Sequence, residues 1–206
     1  MVDAAFWRTH LWLPLLVFCL ALAGVSALGL DFRVADAWYS ASAGKFPARD
    51  AHLTKIVLHD GGNRLIHFIA IGKQLTNMDC PWAVTRFGGD RPYVSLFSDR
   101  PGNLPRGGCF PGAHSSGAFA LFAFYFVWRR KNPRRARVAL ACAAALGTVY
   151  AATQWVRGAH FVSHDIWAAM LAWLVCLGCY LMFDRKMWPQ ENDAGETQSL
   201  AAMAGN

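Results

Sequence analysis

Residues Leu11–Leu30 run for 20 consecutive positions without a charge. A helix rises about 1.5 Å per residue, so about 20 apolar residues cross the roughly 30 Å hydrocarbon core of a bilayer. The run's one proline, Pro14, falls in its first turn, where a missing N–H is tolerated. Three further stretches follow. Gly112–Trp128 is shorter, polar at its start and aromatic at its end. Val138–Val156 is rich in alanine and carries Gly147, a site for close helix packing. Ser163–Phe183 has His164 and Asp165 in its first turn. Leu65–Gly72 is too short to span and reads as a re-entrant or interfacial piece. Composition agrees: 55% of residues are hydrophobic and 16% charged, against about 25% charged in a soluble domain. A disordered chain, a disulfide-packed miniprotein and a collagen-like repeat are excluded. The expected fold is all-α: a polytopic membrane helix bundle of about four spans plus the short segment.

Orientation follows from charge. Arg129–Arg137 reads RRKNPRRAR, and the positive-inside rule puts such a loop in the cytoplasm. Asp31–Pro111 and the turn Arg157–Val162 then lie outside, while Arg8, Arg185 and Lys186 lie inside. The net charge of +7 is read as topology and attraction to anionic lipid, not as nucleic-acid binding, for which no motif is present. The first span reads as a retained anchor and not a cleaved signal, because its apolar run is long and Arg8 is faced by Asp3. Residues 1–186 form one membrane domain. Residues 187–206 are polar and slightly acidic, a disordered cytoplasmic tail.

Ionisable residues next to membrane segments mark function. Three clusters share the predicted outer side: KQLTNMDCPWAVTRFGGDRP from Lys73, CFPGAHSSG from Cys109, and QWVRGAHFVSHD from Gln154. All lie at outer helix ends and can converge on one site. In a continuous helix Arg157, His160 and His164 share a face at i, i+3 and i+7. The chain reverses here, so part of the stretch must be a turn, and Asp165 remains a partner candidate for His160. Histidines, basic side chains and a glycine-rich helix start together suit a highly charged oxyanion. A metal site using His160, His164 and Asp165 with His59 or His67, a haem protein with paired histidines, and an inactive lipid-phosphate binder are the competing readings.

These residues resemble the type 2 phosphatidic acid phosphatase superfamily, which shares a fold with vanadium haloperoxidases. That family carries K-x6-R-P, P-S-G-H and S-R-x5-H-x3-D. Lys73 and Pro81 match the first motif, with Cys80 at its arginine. Pro111 and His114 match the second. His160 matches the third, with Gln154 at its arginine, His164 at its aspartate and Asp165 one step on. The match covers Lys73–Phe183 and looks like a distinct bacterial branch. Relatives typically have six spans, so about two helices are expected to be missing here.

The resemblance implies a metal-independent lipid phosphohydrolase, without cofactor, in the bacterial inner membrane with its site facing the periplasm. Its partner would be a phosphorylated membrane lipid. His160 would form a phosphohistidine, His164 or Asp165 would orient it, and His114 would serve as acid and then base. Lys73, Arg86, Arg157 and the amides near Gly112 would hold the phosphate oxygens, with Arg86 and Arg157 replacing the motif arginines. Cys80 and Cys109 flank the first two motifs, and an oxidising periplasm permits a disulfide there. Cys176 and Cys179 form a CxxC, but in an apolar helix without His or acid nearby, and read as packing residues.

Overall fold

The computed structural model describes residues 3–49 and 77–187. Helix α1 spans Ala4–Ala27. It starts at Asp3, whose carboxylate accepts the Phe6 amide at 2.7 Å and satisfies a donor that has no partner within the helix. Over Arg8–Trp12 it widens into a π-helical stretch. A left-handed Gly29 (φ 60°) turns the chain into α2, Leu30–Trp38. After the outer segment come α3, Ala113–Phe119, a 3-10 turn at Ala120–Phe122, and α4, Ala123–Trp128. Helix α5 is Pro133–Val156, with Asn132 capping the Arg135 amide and Pro133 in the first turn. Helix α6 is Val162–Met187. No strand occurs among the described residues, only two isolated bridges.

Among the described residues three helices, within α1, α5 and α6, are long and apolar enough to cross a membrane. Their outer faces carry exposed Leu16, Leu20, Val138, Val149 and Val175, the pattern of surfaces whose solvent is lipid. The expected fourth span, Gly112–Trp128, is a broken rod of 7, 3 and 6 residues. The break has a packing cause. Side chains three apart line up in 3-10 geometry, and the Phe119 and Phe122 rings stack at 5.4 Å. Phe119 lies directly over Gly147 of α5, where a Cβ would collide with the ring, so Gly147 does serve close packing. The bundle core gathers Phe6, Phe119, Phe122, Phe126, Trp173 and Leu177.

The outer segment is a folded cap. Asp79 is buried and bonded to Arg91 at 2.6 Å and to Arg100 at 2.7 Å. Arg100 also donates to the Pro105 carbonyl at 2.6 Å. The Cys109 amide donates to the Met78 carbonyl at 3.0 Å, and the Gly107 amide to Asn77 Oδ1 at 2.8 Å. Cys80 and Cys109 are joined in a disulfide with Cα atoms 5.2 Å apart. Phe46, Val84, Phe87 and Phe161 form a second apolar core under the cap, flanked by Phe32, Tyr39 and Trp82. Leu65–Gly72, Lys73, His59, His67 and residues 188–206 of the tail lie outside the described residues.

Candidate active site

The reversal between α5 and α6 builds one wall of the site. Helix α5 stops because Gly158 adopts a left-handed φ of 64°, where the Phe46 ring leaves no room for a Cβ. The Gly158 and Ala159 amides bond back to Trp155 and Gln154 carbonyls at 2.9 and 2.8 Å, closing the helix end. The cap docks on this turn through the Trp82 amide, 3.0 Å from the Gly158 carbonyl. Arg157, His160 and His164 therefore do not lie on one helical face. The turn brings them together.

His114 and His160 meet. Their ring centroids are 6.4 Å apart, although His114 opens α3 and His160 lies in the turn before α6. His164 stands 6.0 Å from His160 on the other side. All three rings are buried. Phe110 and Phe161 meet His164 edge-on at 5.3 and 5.4 Å. No hydrogen bond of good geometry reaches either of its nitrogens among the described residues. Arg157 is buried beside the turn and donates to Gln154 Oε1 and to the Arg49 carbonyl, both at 3.3 Å.

Asp165 is placed otherwise than expected. It accepts from the Ser115 hydroxyl and from the Trp155 indole N–H, the latter at 2.7 Å. It thereby ties α3, α5 and α6 together at one buried point. The hydrogen bonds seen for Asp165 go to Ser115 and Trp155, and His164 meets His160 through ring contact at 6.0 Å. His160 precedes α6, so no helical register links it to Asp165. Gly112 is explained by the same carboxylate, because a Cβ there would strike Asp165 Oδ1 and Ser115 Oγ. Its amide points at the His164 carbonyl at 3.4 Å and is not held out as an anion donor.

Arg86 is not brought into the cluster either. Its guanidinium forms an exposed pair with Asp36 at 2.7 Å and rests over Phe32. That pairing raises its pKa further. Lys73 lies outside the described residues. Among the described residues no group of three His, Cys, Asp or Glu side chains is arranged to hold a metal ion.

The order of the motifs and the meeting of His114 with His160 agree with a comparison at the level of families. The PAP2 superfamily profile matches residues 60–188. The chain belongs to the PAP2 superfamily. No curated protein and no solved structure matches it significantly. Phosphatase-type activity on a phosphorylated substrate is the superfamily's general character.

Within this PAP2 chain, sequence reasoning missed Ser115, Trp155 and Asp31. Ser115 follows the motif histidine directly, the one signal that marked it. Asp31 opens α2 and caps α6 across the fold, accepting the Ser163 amide at 2.8 Å and its hydroxyl at 2.6 Å. Burial pushes the Asp31 carboxyl above its ordinary pKa, and the Ser163 bonds pull part of the way back. Nothing in the local sequence announces a partner 132 positions away.

Proposed function

We propose that this PAP2 protein hydrolyses a phosphomonoester or diphosphate of a membrane lipid, through a phosphohistidine on His160, at the periplasmic face of a bacterial inner membrane. One observation carries the reading. Two buried imidazoles from separate parts of the chain stand 6.4 Å apart, and a buried arginine, Arg157, lies three residues before one of them. That spacing leaves room for one phosphoryl group reached from two sides. Apolar helices around the site favour a substrate anchored in the bilayer.

The steps balance as follows. A His160 nitrogen attacks phosphorus and the bond from phosphorus to the lipid oxygen breaks. His114 gives its proton to the departing oxygen. Water then attacks phosphorus while His114 takes the water proton, and the phosphorus–nitrogen bond breaks, releasing inorganic phosphate and restoring His160. Arg157, with Lys73 from the first motif, meets the negative charge spread over the remaining oxygens. His164 holds the His160 ring by packing, and Asp165 sets the spacing by anchoring Ser115 next to His114.

The test is phosphate release from a panel of lipid phosphates by wild type, His160→Ala and His114→Ala. Release by wild type alone, resistant to chelator and blocked by vanadate, is the expected result. Equal release by all three overturns the proposal. No release by wild type on any lipid points to a relative that binds lipid phosphate without cleaving it, the reading that Cys80 and Gln154 at the motif arginines would favour.

A further inference from the structure

A cleft of about 560 Å3 lies on the far side of His164 from His160. Its walls come from the outer end of α1 (Leu22, Ala23), from Phe32, from Phe97 of the cap, and from Phe110 and Trp167. Binding sites for small molecules run about 300–1,000 Å3 and are mostly apolar with a few placed polar groups, and this cleft has that character. We infer that it seats the hydrocarbon chain of the substrate, next to the carbon that bears the phosphate; this rests on the lipid phosphatase reading above.

Three observations choose that occupant. First, among the described residues no lysine or arginine lines the cleft, and the lining carboxylate there, Asp31, is turned to Ser163. A phosphate would find no counter-charge there, while a hydrocarbon needs none. Second, the α1 wall is continuous with a lipid-facing surface. Leu22 and Ala23 adjoin exposed Leu16, Val17 and Leu20 on the same apolar helix, so a chain can enter sideways from the bilayer without crossing water. Third, His164 forms the inner wall. Its ring is 1% exposed; the Cys109 backbone carbonyl stands close enough to act on one nitrogen, and the other has no hydrogen-bond partner among the described residues. A buried polar group in that state is costly unless something else completes it. An ester or ether oxygen near the head of the chain supplies that partner, one imidazole away from His160.

Phe97 completes the picture. It is 86% exposed at the tip of the cap, yet its ring meets Trp167 at 6.4 Å across the cleft mouth. A ring so exposed on a membrane protein lies most favourably among lipid headgroups, where aromatic side chains concentrate. There it frames the entrance for a chain.

The inference is tested by Ala23→Phe, which fills the cleft from the α1 wall. Activity is compared on a long-chain lipid phosphate and on a short, water-soluble phosphate ester. The ratio of kcat/KM, long over short, falls about tenfold or more, through KM for the long chain. Leu146→Phe, on an exposed face of α5, serves as the bulk control and leaves the ratio alone. A second measurement needs no turnover. Lysophosphatidic acid brominated along its chain quenches the part of the fluorescence that Trp167→Phe removes, and Ala23→Phe abolishes that quenching. Should Ala23→Phe fail to assemble, Leu22→Trp on the same wall is read by the ratio and by chain-length preference. An unchanged ratio, or equal Trp167 quenching with and without the filled cleft, overturns the inference. Saturable quenching lost in Ala23→Phe, from a protein without phosphatase activity, upholds the cleft and overturns the catalytic reading instead.

Discussion

The two ends of the helix bundle each bury histidine, and they treat it differently. At the end that the basic loop marks as inner, His10 lies in the π-helical stretch of α1. Its Nδ1 is 3.0 Å from the Phe6 carbonyl and its Nε2 2.9 Å from the Tyr125 hydroxyl. The ring stacks on Phe6 at 4.5 Å, and its backbone carbonyl accepts the Trp173 indole at 2.7 Å. Its ring nitrogens and carbonyl are committed to its own helix and to two others. At the opposite end, taken as outer, the His160 ring stands 6.4 Å from that of His114 and 6.0 Å from that of His164, too far to bond either. An imidazole whose nitrogens are both committed rivets structure. Imidazoles grouped at a distance suited to a guest are kept for chemistry.

The widest separation between the ends is expected in rate. His160→Ala reduces phosphate release to background, and His114→Ala lowers kcat about 10²–10⁴-fold, the usual range for an acid–base group. His10→Ala leaves kcat within a small factor and lowers the melting temperature instead, since two buried bonds are lost at about 1 kcal/mol each. A His10 variant that abolished turnover without unfolding would break the contrast.

The next effect concerns the cap that holds the outer end. Asp79→Asn removes the charge between Arg91 and Arg100 and destabilises the cap by about 3–5 kcal/mol, as when one partner of a buried pair is deleted. Burial works against the Asp79 charge, but the hydrogen bonds and charges of Arg100 and Arg91 outweigh it, so its carboxyl sits below the ordinary range. Its contribution is therefore complete above the usual carboxylate pKa and is lost as pH falls through the lowered one. Limited proteolysis of the cap between pH 6 and pH 3 reads this directly, and Asp79→Asn flattens the profile.

Reduction comes third. The Cys80–Cys109 bond closes a loop with a sequence separation of 29, worth about 3.5 kcal/mol in the chain-entropy model. With the other four cysteines replaced by serine, no thiol is labelled before reductant and two are labelled after it. Two thiols free at the outset would remove the clasp from the account. The smallest difference sharpens the comparison within the outer end. Arg157→Ala raises KM for the phosphate substrate well above the change in Arg86→Ala, because one guanidinium is buried at the turn that carries His160 and the other is exposed with Asp36. A larger effect at Arg86 would return it to the site.

The sequence made the spans legible because bilayer thickness fixes a length and an apolar content that any helix must meet. Leu11–Leu30, Val138–Val156 and Ser163–Phe183 each overlap a helix able to cross. The break at Ala120–Phe122 was hidden, since it depends on how Phe119 meets Gly147 on another helix. Motif order marked His114 and His160, but not how Asp165 is used. Only the chain reversal kept Asp165 as a candidate partner of His160, whereas the partners it is seen with, Ser115 and Trp155, come from two other helices. The cap was illegible for the same reason. Asp79, Arg91 and Arg100 look like loop charges until folding brings them together.

Phe161 has a consequence that reaches past packing. It is sealed in the apolar core under the cap, while the residue before it, His160, belongs to the histidine cluster. Loosening the lid therefore drags the peptide link of His160, the proposed nucleophile, out of register. Warming such a molecule extinguishes its turnover while circular dichroism still records intact membrane helices, so inactivation runs ahead of melting.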